Sequence, residues 1–74
     1  MMSEFSSAPI HRILRKAGAP RVSEEAVEEL RKILEDIGMK IAEQAISLAQ
    51  HAGRRTIKRE DIEIAARIVL KSAI

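Results

Sequence analysis

The chain has 74 residues, no cysteine, two histidines and a formal net charge of +2. A domain this short rarely buries enough apolar surface to be stable alone and leans on disulfides, a metal or self-association; without cysteine, and with no Cys/His cluster at zinc-ligand spacing, association is what remains. No stretch reaches the roughly 20 apolar residues of a membrane span, and residues 1–7 lack the cationic region and apolar core of a signal peptide, so the sequence predicts a cytoplasmic protein with no membrane role.

The first predicted helix carries both boundary signals. Pro9 suits the first helical position, where a missing N–H costs nothing. Gly18 suits the left-handed position just past the end. Ile10, Ile13, Leu14 and Ala17 recur at i, i+3, i+4 and i+7, one face of a helix, while Arg12, Arg15 and Lys16 fall off that stripe. A short loop follows through Ala19, Pro20, Arg21 and Val22, with Ala19 biased towards extended backbone by the proline after it.

Ser23 is placed to cap a second helix, and Glu24 and Glu25 in its first turn suit the helix dipole. Apolar residues then recur from Val27 through Leu30, Ile33, Leu34, Ile37, Ile41, Ala45, Ile46, Leu48 and Ala49 to Ala52, and Gly53 ends the run. A helix of about 30 residues is roughly 45 Å long, against roughly 25–30 Å for a compact globule of this size. The short helices on either side cannot cover both its halves, so the pattern predicts a partner chain. Gly38, near mid-helix, costs about 1 kcal/mol against alanine and is read as the point where a partner helix crosses closely. A second loop contains Arg54, Arg55, Thr56, Ile57 and Lys58. The third helix begins near Arg59, with Glu60 and Asp61 in its first turn and Ile62, Ala65, Ala66, Ile68 and Val69 as its apolar face.

Charge is segregated. Acids crowd the start of the long helix at Glu24, Glu25, Glu28, Glu29, Glu35 and Asp36; bases crowd at Arg12, Arg15, Lys16 and Arg21, and again at Arg54, Arg55, Lys58 and Arg59. No carboxylate pair, nucleophile–base pair or Gly-rich phosphate loop is present, which predicts no catalytic site, no cofactor, no metal and no small-molecule substrate. Phe5 is the sole aromatic residue, so base stacking on single strands is poorly supported. The acidic long helix would repel a duplex, and no helix has the character of a base reader.

Short helix, loop, long helix, loop, short helix is the order of the histone fold, an all-α architecture. The residues go further and resemble the archaeal histones. The likeness lies in Ala8, Pro9 and Ile10; Arg12 and Ile13; Ala17, Gly18 and Ala19; and Arg21, Val22 and Ser23. It is strongest in the run His51, Ala52, Gly53, Arg54, Arg55, Thr56, Ile57, Lys58, followed by Glu60, Asp61, Ile62 and Glu63. It covers residues 8 to about 67, and implies a histone-fold domain over 8–70 between a flexible segment, 1–7, and a tail, 71–74. It also implies a handshake dimer with antiparallel long helices, in which a first loop lies beside the second loop of the other protomer.

The resemblance assigns roles position by position. Arg12 is the arginine aimed at a minor groove where the two first helices meet, and Arg21 a phosphate or minor-groove contact. Arg55 and Thr56 are its neighbours across the loop pair, although the family often has lysine at the position of Arg55. Arg15, Lys16 and Lys58 complete the DNA-binding set. Arg54 and Asp61 match a structural ion pair that braces the second loop. Leu48, His51, Asp61 and Ile64 match positions through which one dimer meets another, and Gly18 a loop position where stacked turns of protein approach closely. The end, residues 68–74, is longer and more apolar than the basic ending typical of the family.

The reading that follows is an architectural protein of the chromosome. It dimerises, binds, bends and compacts double-stranded DNA with little sequence preference, and assembles into tetramers or longer arrays, with paralogous histones as further partners. The competing readings are a histone-fold protein–protein module, a plain helical dimer, and a dimer or tetramer that bridges DNA without extended wrapping. Arg12, Arg21 and Arg55 as a set argue against the first two.

Overall fold

The computed structural model describes residues 7–73, with side chains as far as Lys71; residues 1–6, most of the segment expected to be flexible, and Ile74 lie outside the described residues. The described residues form three helices and no strand: α1 Ser7–Lys16, α2 Glu24–His51 and α3 Arg59–Ala73. The chain divides into two units, Met1–Asp36 and Ile37–Ile74, with α2 running through both.

Each helix end has a local cause. At the end of α1, Ala19 N–H donates to Leu14 O at 3.1 Å and Gly18 N–H to Arg15 O at 2.9 Å. This pair of bonds closes the helix around a left-handed residue. Gly18 takes that conformation at φ 106°, and Gly53 repeats it at φ 72° after α2, where Arg54 N–H donates to Ala49 O at 2.9 Å and Gly53 N–H to Gln50 O at 3.0 Å. Residues with a Cβ rarely adopt such angles. At the start of α2, Ser23 Oγ accepts from Ala26 N–H at 3.1 Å, a cap worth about 1 kcal/mol. The 28 residues of α2 give a length of about 42 Å.

Two boundaries differ from expectation. α1 starts at Ser7, so Pro9 is its third residue rather than its first. The whole first turn lacks intrahelical partners for its N–H groups, so a proline there loses no bond. At the other end, α3 continues to Ala73, through three of the four positions expected as a tail.

The buried apolar residues are few. Ile10 and Val27 supply them in the first unit, and Ala45, Ala49, Ala65 and Val69 in the second. In the second unit they form one i, i+4 row on α2 and one on α3, mostly alanines, and small side chains leave little bulk between packed helices. Larger apolar groups lie outside. Ile13, Ile33, Met39, Ile46, Ile57, Ile62, Ile64, Ile68 and Leu70 are each at least 40 % exposed. Burying one such side chain fully is worth about 1.5–3 kcal/mol, so the single chain leaves a substantial part of its apolar surface uncovered. A Cβ built on Gly38 would meet nothing within 4 Å, so no packing within this chain requires glycine there.

Candidate nucleic-acid interface

The second loop is held by one carboxylate. Asp61 is the third residue of α3 and is 4 % exposed. Its Oδ2 accepts from the Lys58 backbone N–H at 2.8 Å and from Arg54 Nη1 at 2.9 Å, and its Oδ1 accepts from Arg54 Nη2 at 2.9 Å. The Lys58 bond caps the helix from its third position; the Arg54 fork is the bidentate geometry suited to a carboxylate. Arg54 Nη1 also donates to the Thr56 carbonyl at 2.8 Å, so one guanidinium ties the middle of the loop to the helix start. The Arg54 hydrogen bonds, then the Lys58 amide, lower the Asp61 pKa to about 2. Asp61 is therefore a fixed anion at any ordinary pH.

The cations divide into engaged and unengaged. On α2, Arg31 forks onto Glu28, with Nε–Oε2 at 2.8 Å and Nη2–Oε1 at 2.9 Å, and reaches Glu35 at 3.0 Å. Lys32 lies 3.8 Å from Glu29. Arg54 is taken by Asp61. By contrast, the charged ends of Arg12, Arg15, Lys16, Arg21, Arg55 and Lys58 make no ion pair among the described residues, and all six side chains are exposed. The Thr56 side chain is exposed beside them.

Placement follows the helix period. Arg12, Arg15 and Lys16 sit at i, i+3 and i+4 on α1 and so share one face. Ile10, buried, lies on the opposite face. Arg15 and Lys16 also fall in the last turn, where cations suit the helix dipole. These three and Arg21 belong to the first unit; Arg55, Thr56 and Lys58 belong to the second. Arg59, exposed and free of ion pairs among the described residues, joins the second group. The resemblance gives it no role in DNA binding, although its place in the Arg54–Arg59 basic run is a signal for one.

The residues matched to dimer contacts all lie in the second unit, at the end of α2 and the start of α3. Leu48 is half-buried, His51 and Ile64 are exposed, and Asp61 is nearly enclosed. His51 Nδ1 lies 3.0 Å from the Ser47 carbonyl oxygen on its own helix. In the first unit His11 Nε2 stands 3.7 Å from Glu24 Oε2, a contact with no signature in the sequence. Among the described residues no group of three or more His, Asp or Glu could hold a metal ion, and no helix is long and apolar enough to cross a membrane.

Residues 3–66 match the family model described as histone-like transcription factor (CBF/NF-Y) and archaeal histone. The chain is 46 % identical over 66 residues to one of the subunits of the archaeal histone HAN1 from Thermococcus zilligii, an alignment covering 89 % of this chain and 98 % of the relative. To probable archaeal histone 3 of Methanocaldococcus jannaschii it is 48 % identical over 66 residues, with the same shares of the two chains covered. Residues 67–73 of α3 lie beyond the family match. The family is one of structural DNA-binding proteins and not of enzymes. With three helices in short, long, short order and a match over most of its length, the chain belongs to the family of histone-like transcription factors and archaeal histones, and its fold is the histone fold.

Proposed function

We propose that this chain is an architectural protein of the chromosome, working in the cytoplasm. It pairs with a second copy, binds double-stranded DNA largely without regard to sequence, and bends and compacts it. The observation that carries this reading is the sorting of cations. Where arginine serves the fold, as at Arg31 and Arg54, it is held by carboxylates. On α1 and in the two loops Arg12, Arg15, Lys16, Arg21, Arg55 and Lys58 are exposed and make no ion pair among the described residues, as is also true of Lys40 on α2 and Arg67 and Lys71 on α3. Guanidinium groups left free in loops suit phosphates, and arginines entering an inward-facing minor groove support binding that relies on backbone and deformability rather than on base edges.

Dimerisation supplies what one chain lacks. A handshake pairing along α2 would cover apolar groups such as Ile33, Met39 and Ile46, which are 44–61 % exposed. It would also set Arg21 of one protomer beside Arg55 and Thr56 of the other, giving two loop-pair contacts and a third at the paired first helices. Dimers then join through Leu48, His51, Asp61 and Ile64 into tetramers or longer arrays. Paralogous histones are further partners by the same surface chemistry. A second reading, bridging of DNA by dimers or tetramers without extended wrapping, is favoured by one feature: α3 continues beyond the family match with Ile68 and Leu70 more than 40 % exposed.

Nuclease digestion of the complex on long DNA tests the reading. A ladder of protected lengths supports arrays of dimers, and one short footprint supports bridging. No protection of any duplex would overturn the DNA-binding role.

A further inference from the structure

The hydrogen bond of His51 restricts how two dimers can meet. Its Nδ1 lies 3.0 Å from the Ser47 carbonyl oxygen, one turn back on α2. A carbonyl oxygen has no proton to give, so the ring nitrogen is the donor and Nδ1 carries hydrogen. In a neutral ring Nε2 is then a bare acceptor.

If the dimer–dimer surface proposed above sets His51 of one dimer against Asp61 of the next, His51 meets a group that is also only an acceptor. Arg54 and the Lys58 amide keep it ionised. Its Oδ2 accepts two bonds and its Oδ1 one. A carboxylate offers about four lone-pair positions, so Oδ1, with one bond, keeps one for a further donor. A neutral His51 would turn a lone pair towards that oxygen. An imidazolium would donate from Nε2 and keep its bond to Ser47.

We propose that the joining of dimers is coupled to proton uptake by His51, with a second dimer of this chain as the partner and Asp61 as the acceptor. The inference rests on the dimer–dimer surface proposed above. By two-fold symmetry each junction takes up two protons. Assembly therefore strengthens as pH falls through the range where imidazoles charge, about 8 to 5.5. Above that range it weakens by up to about tenfold per pH unit for each proton.

Other charges at this end of the fold bear on the titration. Arg55 in the loop and Lys58 and Arg59 at the start of α3 oppose a charged His51, while Glu43 on α2 and Glu60 and Glu63 on α3 favour it. Arg54 is neutralised by Asp61. The other histidine, His11, stands beside Glu24 in the first unit.

The test is sedimentation of the full chain at fixed salt from about pH 5.5 to 8.5, with nuclease footprints on long DNA in parallel. Wild type, His51→Gln and His51→Ala are compared. Wild type should pass from larger assemblies to dimers as pH rises. His51→Gln, which can donate without taking up a proton, should lose that dependence. Nitrogen chemical shifts of the His51 ring should report Nδ1–H in the free dimer and both nitrogens protonated in the assembly. Equal assembly of wild type at every pH, with His51→Ala defective, overturns the proton coupling and leaves the surface intact. A pH dependence that persists in His51→Gln assigns the proton to another group and overturns the coupling as well. Normal assembly by His51→Ala removes the surface, and this inference with it.

Discussion

Arg54 and Asp61, seven positions apart, are joined by two parallel hydrogen bonds of 2.9 Å. Through Thr56 and Lys58 that pair also fixes the backbone of the loop between α2 and α3. The loop presents Arg55 and Lys58 outward from a backbone that Asp61 has already ordered.

Acid should release this brace. The Asp61 pKa is about 2 in the folded chain against an ordinary 3.8. A depressed folded pKa contributes stability that is complete above the unfolded value and is lost as pH falls through the folded one. The thermal midpoint of the wild type should fall from about pH 4 to about pH 2. Asp61→Asn should melt lower at neutral pH and show a shallower acid decline. Parallel acid curves for the two proteins would contradict the assignment.

The dimer should be obligate. A large part of the apolar surface is exposed in one chain, so folding and association are linked, and the thermal midpoint should rise with protein concentration. Equilibrium sedimentation should give a dimer at micromolar concentration. A midpoint independent of concentration, with monomer mass, would contradict this.

Gly38 separates two outcomes of opposite sign. Nothing in its own chain lies within 4 Å of an added Cβ, so Gly38→Ala in an isolated helix should stabilise by about 1 kcal/mol. A close crossing of paired α2 helices reverses the sign. We expect Gly38→Ala to lower the thermal midpoint of the dimer; a raised midpoint would remove the close crossing.

Engaged and unengaged arginines should differ in binding. Arg31→Ala removes a side chain held by Glu28 and Glu35 and should lower stability while leaving DNA affinity nearly unchanged. Arg21→Ala should leave stability nearly unchanged and weaken binding to all duplexes alike. It should make the salt dependence shallower by about one or two phosphates, counting both protomers. Titration of both variants against the same two duplexes checks this, and equal losses of affinity would contradict it.

Much of this was legible because it is local. Ser23, Gly18 and Gly53 mark helix ends through bonds that span a few residues, and Arg59 marks the start of α3 as expected. Pro9 misled by two residues, because any first-turn position tolerates its missing N–H. Lys71 and Ser72 have the polarity of a tail, yet α3 carries on through them. The engagement of Arg31 was readable in principle, since Glu28 and Glu35 stand at i−3 and i+4. The amide of Lys58 as a partner of Asp61 was harder, because backbone bonds leave no residue type behind; only an acid at the third helical position hints at it. The joining of the two basic groups is not a property of one chain, so nothing in a single sequence fixes it beyond resemblance.

Binding through phosphates, by the exposed cations of α1 and the two loops, is the central claim. Affinity measured against salt for two duplexes of unrelated sequence tests it most directly. We predict straight lines in log affinity against log salt, with a slope of about −0.9 for each phosphate neutralised and nearly the same line for both duplexes. A strong preference for one duplex, or an affinity indifferent to salt, would contradict it.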